Sequence, residues 1–152
     1  MTGGFDDSGN GNAGMPVVFG GKLYVGTENW STGGQLWVSQ NGTQWTPVFQ
    51  NGLGHPNNLS ANGLLVYRER LYVLFYNDET GLEVWRSSDG QAWLQIGPDG
   101  LGDSGNPMVS GFAGSAVFKD RLYLGTGKWD DKLGKVWRLV EKSTYLPLTV
   151  RQ

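Results

Sequence analysis

Apolar residues in this chain fall into short runs broken every few positions by Gly, Asn and Asp, a pattern of short strands and not of helices. In the middle of the sequence, GLLVY (63–67), RLYVLFY (70–76), LEVWRS (82–87) and AWLQI (92–96) read as four successive strands. RLYVLFY is apolar on both faces, so protein is expected above and below it. The first and second strands are joined by two residues, Gly20-Gly21, Arg68-Glu69 and Lys119-Asp120 in three places. The third and fourth are joined through Asn41-Gly42 and Asp89-Gly90. Those dipeptides favour a type I′ turn, in which both central residues take positive φ.

The pattern recurs. Leu23-Tyr24, Leu71-Tyr72 and Leu122-Tyr123 match at offsets of 48 and 51, and Trp37, Trp85 and Trp137 at 48 and 52. Trp45 matches Trp93 at 48, and Phe5, Leu53 and Leu101 are spaced by 48 and 48. The third copy gains residues only where connections are expected. Three copies of a four-stranded unit predict an all-β fold, a β-propeller segment of three four-stranded blades at about 14–50, 62–97 and 113–150, with connecting loops 1–13, 51–61 and 98–112.

Composition narrows the picture. Gly contributes 25 of 152 residues and Trp seven, which suits turns and bulky β-formers. The net charge of −2 shows no basic stripe and argues against a nucleic-acid partner. Without Cys there is neither a disulfide nor a thiolate metal site. No apolar run approaches the roughly 18–20 residues that span a bilayer. The start, MTGGFDDSGNGN, is not a signal peptide, so the signal of an exported parent lies outside this chain.

The strings SQNGTQW (39–45) and SSDGQAW (87–93) resemble the Asp-box hairpin of sialidase-type propellers, one residue short between the acidic position and Gly. The third copy has lost it. With the wider VFxxxLYVGT…GxEVWR pattern, the chain resembles a bacterial propeller-repeat family related to the Asp-box proteins. That resemblance implies an extracellular or cell-surface setting, and structural roles for Asn41, Trp45, Asp89 and Trp93. A repeated Asx residue is expected to bond backbone amides of its own turn, and a repeated Trp to fill space between blades.

Few residues invite chemistry. A sialidase-like site needs converging arginines, a Tyr–Glu nucleophile pair and an acid. Arg68, Arg70 and Arg121 sit at first-hairpin turns, at the opposite end of the unit from the loops between strands two and three. His55 stands where the other copies have Asp7 and Asp103, followed three residues later by Asn58, Asn10 and Asn106. Those oxygens suit Ca²⁺ or, more simply, turn capping, and a lone His makes no zinc site. Trp30 and Trp129 each lie six residues after the second-strand Tyr, with Asp78 at the equivalent place in the middle copy. Together with Asn29, Asp130 and Asp131 they form the candidate ligand-binding rim, suited to stacking and hydrogen bonding a sugar.

The expectation from sequence is therefore a non-enzymatic scaffold or binding module that holds a glycan or a protein, without cofactor. The alternatives are a purely structural segment of a larger surface protein, or a fragment of a sialidase-like glycoside hydrolase. Three blades do not close a ring, and each bare end face measures on the order of 300 Å². A homodimer completing six blades is expected to cover both.

Overall fold

The computed structural model of the chain describes residues 3–103, 114–127, 134–140 and 144–148, the last segment by its backbone alone. Among the described residues every regular element is a strand or a four-residue 3-10 turn. The strands form three antiparallel meanders. The first runs β2 (Val17–Phe19), β3 (Lys22–Asn29), β4 (Leu36–Ser39) and β5 (Thr46–Phe49). The second runs β6 (Asn58–Tyr67), β7 (Arg70–Asn77), β8 (Glu83–Ser87) and β9 (Leu94–Gln95). The third runs β10 (Ser115–Phe118), β11 (Arg121–Thr126), β12 (Lys135–Val140) and β13 (Thr144–Leu148).

The repeat persists in the register. Val25 faces Trp37, Val73 faces Trp85 and Leu124 faces Trp137. The strand read at 63–67 reaches back to Asn58, where it pairs with the far end of β7. In the first meander that reach is a separate strand, β1 (Asn10–Ala13), on the far end of β3. A single bridge, Glu28 to Ser60, joins the first two meanders into one sheet.

β7 shows why a strand apolar on both faces belongs here. Leu71, Val73 and Phe75 pack with Tyr24, Leu36 and Phe49 of the first meander. Tyr72 and Leu74, pointing the other way, pack with Leu122, Leu124 and Trp137 of the third. Each fully buried Leu or Phe contributes about 2 kcal/mol of hydrophobic burial, so β7 ties both neighbours to the centre.

The turns depart from the sequence expectation. Both central residues take positive φ in the first hairpins: Gly20-Gly21 (54° and 71°), Arg68-Glu69 (48° and 55°) and Lys119-Asp120 (47° and 54°). In the β4–β5 and β8–β9 hairpins only Gly42 and Gly90 do. The type I′ twist thus sits between strands one and two. Asn41 and Asp89 keep negative φ because their side chains form the turn instead.

Candidate functional site

The connections 3–9 and 51–57 and the β3–β4 and β7–β8 loops lie at one end of the meanders, and the first hairpin of each meander, with the β4–β5 and β8–β9 hairpins, lies at the other. Each connection makes a left-handed kink, at Gly4-Phe5, Gly52-Leu53 and Gly100-Leu101. A Phe or Leu with positive φ is strained by about 1–2 kcal/mol, offset here by packing. Phe5 stacks on Trp37 at 5.1 Å, Leu53 packs on the core between the first two meanders, and Leu101 is buried between the second and third.

Behind the kink lies a repeated polar clasp. In the first meander Asp7 Oδ2 accepts from Gln35 Nε2 (2.7 Å) and Asn29 Nδ2 (3.2 Å). Gln35 Oε1 accepts from Asn10 Nδ2 (2.9 Å) and Trp37 Nε1 (3.0 Å). In the second, Glu83 Oε2 accepts from Asn58 Nδ2 and Trp85 Nε1, both at 2.8 Å, with His55 Nδ1 3.4 Å from Oε1. In the third, Lys135 Nζ donates to Asp103 Oδ2 at 2.7 Å. Asp7, His55 and Asn58 are therefore spent on tying the connection to strands two and three. Among the described residues no cluster of three or more His, Cys, Asp or Glu is placed to hold a metal. Asn106 lies outside them.

Asn29 does not offer itself to a ligand, contrary to the sequence expectation. It is buried, its Oδ1 accepts from the amides of Ser31 and Thr32 at 3.0 Å, and its Nδ2 joins the clasp. Asn77 does the same for Glu79 and Thr80 in the next meander. The 48-residue spacing of these two Asn residues carried the signal for a loop cap.

Trp30 is different. It is 56% exposed, yet held: its Nε1 donates to Glu28 Oε1 at 2.8 Å, and its ring lies 5.6 Å from Tyr76 at 57°. Burial pushes the Tyr76 phenol above its ordinary pKa, with Asp78 and Glu28 adding to the rise. Trp30, Glu28, Tyr76 and the exposed Asp78 thus form one patch where the first two meanders meet at this rim. Trp129, Asp130 and Asp131 lie outside the described residues.

The hairpin residues are at the other rim. Asn41 Oδ1 accepts from the amides of Thr43 (3.0 Å) and Gln44 (2.9 Å), and Asp89 Oδ1 from those of Gln91 (2.8 Å) and Ala92 (2.9 Å). Those two amides, then the Ser87 hydroxyl, hold the Asp89 carboxyl below the usual carboxylate range. Trp45 packs edge-on against Phe5, and Trp93 against Phe49.

No family model matches the chain, and no curated protein sequence does. Solved structures do. An α-L-arabinofuranosidase (GH43) from Clostridium thermocellum matches with TM-score 0.60 and 14% identity over 94% of this chain and 58% of its own. A GH32 β-fructofuranosidase from Bombyx mori matches with TM-score 0.59 and 17% identity over 93% of this chain and 35% of its own. A GH74 xyloglucanase from Xanthomonas campestris matches with TM-score 0.55 and 22% identity over 94% of this chain and 20% of its own. The chain thus spans less than three-fifths of the length of each. The fold is all-β and propeller-like. These likenesses correct the expectation of a non-enzymatic binding module, because the fold found here is one that glycoside hydrolases use.

Proposed function

We propose that this chain is a segment of a glycoside hydrolase built as a β-propeller, with its three meanders as blades and the Trp30 rim bordering the carbohydrate cleft. The observation that supports the reading most is the fold match to GH32, GH43 and GH74 enzymes over more than nine-tenths of the chain. The rim adds chemistry. An indole offers a flat apolar face to the C–H groups of a sugar ring, and Trp30 is pinned by Glu28 and Tyr76 in one pose. Cleaving a glycosidic bond takes two carboxyl groups, one to protonate the leaving oxygen and one to act as base or nucleophile. Glu28 and Asp78, which flank Tyr76, supply them in this reading. The Asp-box-like hairpins form the outer turns of the blades.

Completion of the ring belongs to the same reading. Met15 and Val18 in the first meander, and Val117 and Phe118 in the third, are exposed apolar residues. A second copy joined head to tail would cover these residues and give six blades.

Calorimetric titration with arabino-, fructo- and xyloglucan-oligosaccharides, with reducing-sugar release followed in parallel, tests the proposal. At least one series should bind, and Trp30→Ala should weaken it tenfold or more without lowering the melting temperature. Failure of every series, or binding indifferent to Trp30→Ala, would remove this rim as the cleft. Sugar release that survives both Glu28→Gln and Asp78→Asn would remove those carboxylates from the chemistry.

A further inference from the structure

The opposite rim carries a feature that the repeat does not require. Tyr72 on β7 faces Arg86 on β8, and Arg86 faces Leu94 on β9. Residues two apart on a strand share a face, so Arg70, Tyr72 and Arg86 lie side by side on the face turned toward the third meander. There they line a cavity of about 320 Å³ with Tyr67, Arg68 and Ile96, closed on the far side by Leu139 and Val140. A second cavity of about 290 Å³ again has Arg70 and Arg86 in its wall, now with Ser88, Trp93 and Leu94. The two guanidinium groups therefore stand between adjoining hollows.

Among the described residues nothing pairs with their side-chain charges. Arg68 is paired with Asp120, whose carboxyl is held low by that contact. Neither the Arg70 nor the Arg86 guanidinium makes a hydrogen bond or ion pair with any described residue. A further donor of the same wall is idle: the Tyr72 hydroxyl makes no hydrogen bond with any described residue. The groove between the first and second meanders is the natural comparison. There Lys22 and Val38 occupy the places of Arg70 and Arg86, and the wall is otherwise Gln, Asn and Thr. The third repeat again has arginines at these places, Arg121 and Arg138, so the doubled charge marks the second and third repeats and is absent from the first.

We infer that the Arg70–Arg86 hollow is an oxyanion site, taking a carboxylate or sulfate group between two guanidinium groups. A guanidinium presents paired N–H donors that match the two oxygens of such a group, and aromatic walls lower the local dielectric around the bond. The anion has two sources, an acidic sugar unit of a polysaccharide or a free small anion. The site lies on the rim opposite Trp30 and stands independently of the function proposed for that rim.

Titration of the intact chain with sodium sulfate, glucuronate and, as neutral control, glucose distinguishes the sources. Saturable binding of sulfate or glucuronate is expected, weakened at least tenfold by Arg86→Gln and by Arg70→Gln, weakened by added sodium chloride, and unchanged by Trp30→Ala. Glucuronate held more tightly than sulfate identifies a sugar acid, and the reverse identifies a free anion. Either supports the site. No saturable binding of either anion overturns it, as does binding that both glutamine variants retain. Arg86→Lys, which keeps the charge and loses the fork, should bind more weakly than the native chain and better than Arg86→Gln. Equal loss in both variants, with melting temperatures lowered alike, would mean that Arg86 serves packing alone and would also overturn the site.

Discussion

His55 Nδ1 lies 3.4 Å from the buried Glu83 carboxylate, the place held in the first repeat by Asp7 and Gln35. The pair is conserved in complementarity and not in identity: acceptor with donor in the first repeat, donor with acceptor in the second, and Asp103 with Lys135 in the third. Each repeat thus solves the same problem, fastening the connection to its own strands, with a different pair of side chains.

Complementarity of this kind is testable by exchange. His55→Asp alone sets a second carboxylate beside Glu83 and should destabilise by about 1–3 kcal/mol at neutral pH. Glu83→Gln alone keeps an acceptor for Trp85 Nε1 and should cost about 1 kcal/mol. Together the two changes rebuild the clasp of the first repeat. The double variant should be more stable than His55→Asp alone, with a coupling energy above about 1 kcal/mol in a denaturation cycle. Additive losses would show that the two side chains do not act as a pair.

The hairpin caps predict a difference in pH response. Asn41→Ala removes an acceptor from two amides and should cost about 1 kcal/mol at every pH. Asp89→Ala removes the same bonds from a carboxylate whose folded pKa is depressed by the amides of Gln91 and Ala92 and by Ser87. A depressed folded pKa means that the ionised form stabilises the fold. That contribution is complete above the unfolded pKa and disappears as pH falls through the folded one. Urea denaturation from neutral to about pH 2 should therefore show the gap between native chain and Asp89→Ala narrowing, and the gap for Asn41→Ala holding constant.

Gly42 and Gly90 occupy equivalent turn positions at φ +78° and +76°, yet their surroundings differ. A Cβ on Gly42 meets nothing within 4 Å, whereas one on Gly90 would lie 2.3 Å from the Tyr24 hydroxyl oxygen. Gly42→Ala should cost only the backbone strain, about 1–2 kcal/mol. Gly90→Ala adds overlap with a Tyr buried against the second meander, and should cost at least about 1 kcal/mol more. Tyr24→Phe should recover part of that extra loss, read from melting temperatures of the single and double variants.

What was legible in the sequence followed from strict spacing. Leu-Tyr and Trp at 48-residue intervals gave the strands and their register, because a sheet buried on both faces leaves those positions little freedom. The turns were misread where a side chain replaced a backbone preference: Asn41-Gly42 looked like a type I′ pair, but the Asn amide caps the turn and keeps negative φ. Asn29 looked available beside an exposed Trp30, since sequence does not show that a polar residue is buried and saturated. The Arg70–Arg86 hollow was hidden for another reason. The two residues are 16 apart, and only the pairing of Tyr72 with Arg86 brings them to one face.

The exposed apolar residues make a last prediction, on assembly. Val18 is 67% exposed and Phe118 60%, one on the first strand of the first meander and one on the first strand of the third. In the second meander, which has a neighbour on either side, the residues in the same register are Val66, 39% exposed, and Tyr67, buried in the core shared with the third. What separates these positions is the number of neighbours, so Val18 and Phe118 should be covered once further blades flank them. If a second copy does this, light scattering at micromolar concentration should give twice the chain mass. Val18→Lys or Phe118→Lys should then shift it to the monomer, since a charge on either contact face must be desolvated on pairing. A monomer that binds no apolar dye in dilute solution would exclude the two-fold ring. A monomer that does bind the dye would mean that the faces await blades of another chain segment.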